Sequence, residues 1–282
     1  MSKVAVVVDS TAFIPKELIK KYNLHVIPQV LNWEGQSYKD DVDITPDAFY
    51  TRLKTAKEMP TTSQPSAGEF FEFFTEVSKT ADSIVAVHLS EFLSGTLASA
   101  RAAVDMMPDF PIEIVDTRST AMGLGFMALA AARAVENGAD YKEAAEAARA
   151  LKEGMRVVFV VDTLEFLHRG GRIGGAKRLI GSMLSIKPVL HLEDGRIEPL
   201  ASVRTKRKAI NHVLDLVESE MKDKSNVHAA IMNALAPEES QMMFEEVKRR
   251  LNPVEIFNTE LSPIVGAHVG PGTLGVIYYA EP

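Results

Sequence analysis

Segments rich in valine and isoleucine alternate with helical segments along the first half of the chain. Those at residues 4–8, 83–90 and 112–116 have the composition of strands that are buried on both faces of a parallel sheet. An alanine-rich helix ending near Met107 is predicted before the third strand, and a long helix at 120–136 after it. Strands that alternate with helices form βαβ units, so the pattern predicts a mainly parallel sheet flanked by helices.

The pattern becomes less regular after Gly154. Strands are predicted at 157–161, 186–192, 196–203, 227–232, 254–257 and 274–279. The pair Asp194-Gly195 between two of them is a strong signal for a type I′ hairpin turn. A glycine-rich basic loop at 168–175 and a helix that ends near Leu184 are predicted before this hairpin.

This change of pattern predicts two domains. We place an N-terminal domain with a mainly parallel sheet at 1–155 and a C-terminal mixed α/β domain at 156–282. The segment 24–42, read as a strand at 24–33 and a short returning segment, fits either domain.

Hydroxyl-bearing residues stand where predicted strands end and helices begin. Four of the six residues from Thr61 to Ser66 carry hydroxyls, and Ser66 with Glu69 has the spacing of a capping box. Ser94-Gly95-Thr96 repeats the arrangement after the next strand. Such residues either cap a helix or offer hydroxyls and free N–H groups to an anion. Both interpretations stay open here and at Asp9-Ser10-Thr11.

The composition narrows the classes of function. The chain has 282 residues, of which 46% are hydrophobic and 24% charged, an ordinary globular balance. It has no cysteine, which excludes disulfides, thiolate metal sites and cysteine nucleophiles. We see no signal peptide and no apolar run of the ~20 residues that span a membrane, so we expect a cytoplasmic protein. The net charge of −7 argues against non-specific binding of nucleic acid.

Positive charge is concentrated in one part of this acidic chain. Residues 162–208 hold ten Lys or Arg against five Asp or Glu, a local charge of +5. Arg169, Arg172, Arg204 and Lys206 are candidates for a surface that docks a partner or steadies a phosphate.

The common catalytic motifs are missing from the sequence. No H-E-x-x-H metal motif, phosphate-binding loop, G-x-G-x-x-G after a strand or G-x-S-x-G elbow occurs, so we expect no metal and no nucleotide cofactor. Ser94 and His268 can be drawn as a nucleophile and its base, but no third partner is identifiable. His268 stands among glycines, and we expect it in a loop, outside the core, where it can donate to an anion.

Taken together, these segments resemble the DegV family of two-domain α/β fatty-acid-binding proteins. The resemblance covers essentially the whole chain, and the order and spacing of its motifs are specific. The motifs are Val7-Val8-Asp9-Ser10-Thr11, Pro60-Thr61-Thr62-Ser63-Gln64-Pro65-Ser66, His88-Leu89-Ser90, Leu93-Ser94-Gly95-Thr96, Leu167-His168-Arg169-Gly170-Gly171-Arg172, Ile186-Lys187-Pro188-Val189-Leu190, Val203-Arg204-Thr205-Lys206 and Gly266-Ala267-His268-Val269-Gly270-Pro271-Gly272.

The resemblance implies a long-chain fatty acid bound between the two domains. It assigns the carboxylate to Thr62 (with Ser63 near), Ser94 (with Gly95) and His268. It also implies a non-enzymatic carrier without a cofactor, which presents the acid to a separate ATP-binding subunit of a bacterial fatty acid kinase. The acyl phosphate would then feed phospholipid synthesis, with at most transient membrane contact by the carrier.

A bound acyl chain needs an apolar tunnel and a satisfied carboxylate. Each buried methylene contributes roughly 0.8 kcal/mol, and an unpaired buried carboxylate is costly. We expect the tunnel among Phe70, Phe73, Phe92, Met122, Phe126 and Met127. We also expect neutral hydroxyls and one histidine to hold the carboxylate without a permanently buried cation, so that it stays able to attack ATP.

Two other classes of function remain as alternatives. One is a serine acyl hydrolase or thioesterase that uses Ser94 and His268. The other is a DNA-binding or regulatory protein that uses the basic cluster at 204–208, which the acidic total disfavours.

Overall fold

The fold was analysed in a computed structural model, which describes residues 3–182 and 186–281. The strands are β1 Val4–Asp9, β2 His25–Ile27, β3 Val30–Trp33, β4 Gln36–Lys39, β5 Thr61–Ser63, β6 Ser83–His88, β7 Ile112–Asp116, β8 Arg156–Val160, β9 Lys187–Glu193, β10 Arg196–Val203, β11 Val227–Asn233, β12 Glu255–Glu260 and β13 Leu274–Ala280. The helices are α1 Lys16–Lys21, α2 Pro46–Leu53, α3 Ala67–Ser78, α4 Thr96–Asp105, α5 Ala121–Glu136, α6 Tyr141–Ala150, α7 Glu165–Arg169, α8 Lys206–Met221, α9 Pro237–Leu251 and α10 Pro263–Val269. Short 3-10 segments cover Ser10–Ala12 and Gly174–Ser182.

Two main sheets confirm the predicted fold class. The first is fully parallel, with the order β2-β1-β6-β7. The second is mixed, with the order β10-β9-β8-β13-β11-β12, and only β11 and β12 pair in parallel within it. Every strand of the parallel sheet precedes residue 117 and every strand of the mixed sheet follows residue 155. The domain boundary at 155/156 remains a prediction, and the separation of the sheets agrees with it.

A third, smaller sheet of order β4-β3-β5 holds part of the hydroxyl-rich stretch. The prediction of one strand at 24–33 is wrong, because β2 joins the parallel sheet while β3 pairs with β4 and β5. The strand is interrupted at Pro28, because proline has no N–H to donate to a ladder of hydrogen bonds. Thr62 lies in β5 opposite Leu31 of β3, so this residue belongs to a strand and not to a helix start.

Helix α5 packs between the two main sheets. Eleven of its 16 residues are buried, and it contacts β1 and β6 on one side and β11 and β13 on the other. Two glycines near the start of α5 allow close packing. A Cβ on Gly123 would collide with the Ser119 hydroxyl, and one on Gly125 would lie 2.9 Å from Met122 Sδ.

Several local predictions are confirmed in detail. Ser66 Oγ accepts from the Glu69 backbone N–H, and the Glu69 carboxylate accepts from the Ser66 N–H, which completes the capping box of α3. The hairpin β9–β10 turns at Asp194 and Gly195, with φ angles of 48° and 78°. Positive φ at both positions is the mark of a type I′ turn.

The helix predicted to end near Leu184 is a 3-10 segment over Gly174–Ser182, and residues 183–185 lie outside the described part of the chain.

Candidate functional site

An internal cavity lies where the parallel sheet, the small sheet and the mixed sheet meet. It is a narrow cavity with a volume of about 80 Å³. Its apolar wall includes Leu89, Val157, Phe159, Leu167, Leu192, Ile197 and Met232. Its polar wall includes Gln29, Thr62, Ser63, Gln64, Ser94, Thr120, Arg172 and His268. The cavity therefore has an apolar and a polar wall, and residues from both halves of the chain line it.

Thr62 and His268 form the centre of the polar end. Thr62 Oγ1 lies 2.8 Å from His268 Nε2, although the two residues are 206 positions apart in the sequence. Ser63 also lines the cavity, and its hydroxyl accepts from the Asn32 side-chain amide. The strand pairing of β5 with β3 is what holds Thr62 at this position, because it fixes the backbone on both sides of the residue.

Ser94 contributes a second hydroxyl through the turn that precedes α4. Its Oγ lies 2.9 Å from Thr96 Oγ1 and accepts from the Thr96 backbone N–H. The Thr96 hydroxyl in turn accepts from the Gln29 side-chain amide. Gly95 is the N-cap residue of α4, and the Gln64 amide packs where a Cβ would stand, with Nε2 at 2.7 Å. Gly95 thus makes room for a cavity-lining side chain.

The predicted loop position of His268 is wrong. The segment Pro263–Val269 is the helix α10, with Ser262 as its N-cap and His268 in its last turn. The glycines around His268 serve close packing here, since Gly266 lies against the Tyr50 ring. Helix α10 packs against α7, α2, β3 and β5, and it thereby carries the imidazole to the hydroxyls of the small sheet.

His268 is neutral at pH 7. Burial, together with the nearby Arg172 guanidinium, lowers the pKa of His268 to about 4. Its Nδ1 has no hydrogen-bond partner among the described residues. The ring lies so close to Gly170 that a Cβ there would collide with Nδ1, so Gly170 leaves space for the imidazole.

Arg172 also lines the cavity, although we expected a site without a permanently buried cation. Its Nε donates to the Leu93 carbonyl at 3.0 Å and its Nη1 to the Gly170 carbonyl at 2.7 Å. Burial lowers its pKa, but an arginine stays charged at neutral pH. Within residues 3–182 and 186–281 no carboxylate forms a salt bridge with it. The guanidinium therefore offers an uncompensated positive charge at the polar end.

The other three basic residues predicted for a partner surface lie outside the cavity. Arg169 forms an ion pair with Glu165 at 2.6 Å and its side chain is 61% exposed. Arg204 is exposed, and Lys206 is paired with Asp162 and Glu239. The structure separates Arg172 from these three, which the clustering of charge in the sequence did not indicate.

The residues predicted to form the tunnel lie elsewhere. Phe70 packs on the outer face of the parallel sheet with Val7 and Ile84, and Met122 is part of the central core. Phe92 is 38% exposed, and the guanidinium groups of Arg118 and Arg196 both lie against its ring. The cavity lining also lacks the three other residues predicted for the tunnel, Phe73, Phe126 and Met127. Part of the apolar wall comes from the mixed sheet, and helix α3, which carries Phe70 and Phe73, contributes none of the lining residues.

The geometry disfavours a Ser–His hydrolytic pair. Ser94 Oγ bonds to Thr96 and His268 Nε2 bonds to Thr62, so the two groups have different partners. The unbonded Nδ1 of His268 also lacks the acid that orients the base in a triad, as far as the described residues show.

The polar residues that follow β1 act mainly within the fold. Asp9 Oδ1 accepts from the Thr11 backbone N–H, and its Oδ2 lies 3.2 Å from His88 Nδ1. Thr11 nevertheless reaches the cavity wall. Asp9 therefore acts as a cap, and Thr11 contributes to the cavity wall, so each interpretation holds for one residue of the segment.

The described residues hold neither a cluster of metal ligands nor a helix that could span a membrane. No group of three or more potential metal-ligating side chains occurs in residues 3–182 and 186–281. In the same ranges, every helix falls short of the length or apolarity that crossing a bilayer requires.

The fold and the cavity define a class: a two-domain α/β protein with an internal, mainly apolar cavity that is polar at one end. The sequence profile described as "Uncharacterised protein, DegV family" matches residues 3–281. The chain belongs to the DegV family.

Individual relatives extend this comparison. Protein DegV of Bacillus subtilis is 35% identical over 276 residues, which cover 98% of each chain. The structure of a fatty-acid-binding DegV family protein from Thermus thermophilus superposes with a TM-score of 0.93 at 33% identity, over 99% of each chain. DegV of Bacillus subtilis, described as a fatty acid binding protein, superposes with a TM-score of 0.92 at 33% identity, over the full length of both chains.

Proposed function

We propose that this protein binds one long-chain fatty acid, with the acyl tail in the cavity and the carboxylate at its polar end. The observation that carries the proposal is the amphipathic cavity itself, which joins an apolar wall to hydroxyls, an imidazole and a guanidinium that forms no salt bridge with a described residue. The fatty-acid-binding proteins of similar fold and sequence support it. Burial of roughly 0.8 kcal/mol per methylene supplies ample gross driving force for a long tail.

We assign the carboxylate to Thr62, Ser94 and His268, with Arg172 as the charged partner. A neutral His268 that donates from Nε2 to Thr62 Oγ1 leaves the threonine hydroxyl hydrogen free for a carboxylate oxygen. Ser63 and Gly95 contribute by supporting this wall, through Asn32 and Gln64 respectively. Domains at 1–155 and 156–282 would then close on the ligand from two sides.

Direct lipid analysis tests the binding proposal. Native extraction and mass spectrometry of the purified protein should yield a long-chain fatty acid, and the delipidated protein should bind palmitate or oleate in calorimetry. A protein that carries no lipid and binds neither acid would contradict the proposal.

Replacing Thr62 with valine is expected to weaken palmitate binding about tenfold, because a hydrogen bond to a charged group contributes about 1.5 kcal/mol or more. Valine keeps the shape and the strand propensity, so β5 should stay paired with β3. Thr61→Val is the matched control, since Thr61 is an exposed neighbour in the same strand. Equal affinities of wild type and Thr62→Val in calorimetry would remove Thr62 from the head-group site.

We further propose that the bound carboxylate is presented to a separate ATP-binding kinase subunit. A carboxylate oxygen would attack the γ-phosphorus of ATP, the bond to the ADP oxygen would break, and acyl phosphate and ADP would form. The carrier would take no part beyond holding and orienting the acid. The exposed side chains of Arg169 and Arg204 offer a surface for an acidic partner.

Reversing both charges of this surface should slow acyl phosphate formation at least about tenfold, because like charges would then face the acidic partner. Palmitate affinity should be unchanged in Arg169→Glu/Arg204→Glu. Lys20→Glu/Lys142→Glu, at two exposed positions of α1 and α6, makes the same change of charge elsewhere. The measurement is the rate of acyl phosphate formation with a bacterial fatty acid kinase subunit, ATP and palmitate at physiological salt. Equal rates for both double variants would exclude a role for this surface.

A further inference from the structure

Gln29 is a buried polar side chain in the cavity wall to which the carboxylate assignment gives no role. It is 2% exposed and lines the cavity. It follows Pro28, at the point where the chain passes from β2 to β3. Its backbone is held on both sides, because its N–H donates to Ser10 Oγ at 3.0 Å and its carbonyl accepts from the Asp40 N–H at 2.9 Å. The fold therefore gives Gln29 a fixed place in the polar wall.

The Gln29 side chain contacts the hydroxyl of Thr96, a fully buried residue at the start of α4. Gln29 Nε2 donates to Thr96 Oγ1 at 3.0 Å, whereas the reverse contact, from Thr96 Oγ1 to Gln29 Oε1, is longer at 3.4 Å. Ser94 Oγ lies 2.9 Å from Thr96 Oγ1. Hydrogen bonds between hydroxyls are usually about 2.5–3.0 Å long, so the Thr96 hydrogen belongs on the shorter contact. Thr96 thus accepts from Gln29 and donates to Ser94.

Thr96 in turn fills the acceptor capacity of the Ser94 hydroxyl. Ser94 Oγ accepts from the Thr96 O–H, and also from the Thr96 backbone N–H at 3.3 Å. A hydroxyl has two lone pairs and one hydrogen, so both lone pairs are occupied and the hydrogen is left over. Within residues 3–182 and 186–281, Ser94 Oγ makes its hydrogen bonds with Thr96 alone. Because Ser94 lines the cavity, its hydrogen can be donated to a ligand there.

We propose that Gln29 is a positioning residue, which acts through Thr96 to make the Ser94 hydroxyl a donor to the bound carboxylate. The inference rests on the proposed fatty-acid binding and adds the direction of one hydrogen bond to it. An ionised carboxylate can only accept, so a serine that accepts from its neighbour and donates to the ligand favours an anion. Without the Gln29 amide, Thr96 Oγ1 becomes free to accept from Ser94, and the serine hydrogen turns away from the ligand.

The test compares palmitate with methyl palmitate, whose head group carries no charge. In Gln29→Leu, palmitate affinity should fall about fivefold, because the carboxylate must then compete with Thr96 for the Ser94 hydrogen. Affinity for methyl palmitate should change by less than about twofold, since a neutral acceptor forms the weaker hydrogen bond. Gln36→Leu, the same substitution at an exposed position of β4, should change neither affinity. Calorimetry measures both dissociation constants.

A double-mutant cycle identifies the path of the effect. If Gln29 acts through Ser94, Gln29→Leu should weaken palmitate binding by less than about twofold in a Ser94→Ala background, because the hydrogen that it directs is absent. The same near-zero effect is expected in a Thr96→Val background, which removes the hydroxyl between the two residues. Gln29→Met, with an unbranched side chain like that of glutamine, carries the test if Gln29→Leu fails to fold.

Each outcome decides the claim. A loss that is confined to palmitate and absent in the Ser94→Ala background supports the positioning role. Equal palmitate affinities of wild type and Gln29→Leu overturn it. A loss that methyl palmitate shares, or that persists without the Ser94 hydroxyl, also overturns it, because Gln29 would then only support the wall. A wild-type protein that binds neither ligand would instead overturn the proposed function, which is a separate result.

Discussion

Replacing Arg172 with glutamine is expected to weaken fatty-acid binding about 100-fold at pH 7, because a charge-assisted hydrogen bond is worth up to about 3 kcal/mol. The guanidinium lines the cavity, and no carboxylate of residues 3–182 and 186–281 forms a salt bridge with it. A bound carboxylate would supply the missing negative charge. Isothermal titration with palmitate, at low and at high salt, measures the effect.

Two further variants separate charge from geometry. Arg169→Gln removes a neighbouring arginine that pairs with Glu165 on the surface, and it should leave affinity unchanged. Arg172→Lys keeps the charge, but a lysine cannot donate to the carbonyls of Leu93 and Gly170 with the same planar geometry. We therefore expect it to bind with intermediate affinity. Wild-type affinity in Arg172→Gln would show that hydroxyls and the imidazole hold the carboxylate without the cation.

The second large effect concerns stability, to which two buried groups contribute with opposite dependence on pH. Burial raises the pKa of Asp40 from 3.8 to about 7, although the Ser10 hydroxyl donates to its Oδ2 at 2.6 Å. Its Oδ1 has no partner among the described residues. Burial lowers the pKa of His268 from 6.5 to about 4.

The signs follow from which state binds more protons. Between pH 4 and 7 the folded protein holds a proton on Asp40 that the unfolded chain releases. The contribution of Asp40 to the free energy of unfolding therefore falls as pH rises. Between pH 4 and 6.5 His268 is protonated in the unfolded chain but not in the folded protein. The contribution of His268 to the free energy of unfolding therefore falls as pH falls. In the wild type the two contributions largely offset each other.

Single variants should reveal each contribution. The difference in unfolding free energy between Asp40→Asn and wild type should rise between pH 4 and 7, by on the order of 4 kcal/mol. The corresponding difference for His268→Gln should fall between pH 4 and 6.5, by on the order of 3 kcal/mol. Urea denaturation at a series of pH values measures both, with Asp223→Asn and His212→Gln at exposed positions as controls. Differences that do not change with pH would refute the assigned shifts.

Local structure was largely predictable from the sequence. The capping box at Ser66 and Glu69 formed as predicted, and so did the turn at Asp194-Gly195. Both depend on contacts within three or four residues, which the sequence displays directly. The single strand predicted at 24–33 failed because the partners of β2 and β3 lie in two different sheets.

The site was predictable in part. Thr62, Ser63, Ser94 and His268 line one cavity and Gly95 does not, while the role of these residues in holding a carboxylate stays a prediction. Two of its features were missed: the helix that carries His268, and Arg172 within the wall. A basic residue directly after a glycine pair gives no sign of the direction in which its side chain points.

The sequence by itself determined the alternation of strands and helices, the caps and turns, and the hydroxyls that a polar ligand would meet. Tertiary structure alone decided which apolar residues face the cavity and which fill the core. Phe70 and Phe159 are equally apolar, yet Phe70 packs outside the parallel sheet while Phe159 lines the cavity. The hydrophobic effect is non-directional, so burial against any neighbour stabilises either side chain. Hydrophobicity therefore predicts that a residue is buried, but not which residues it contacts.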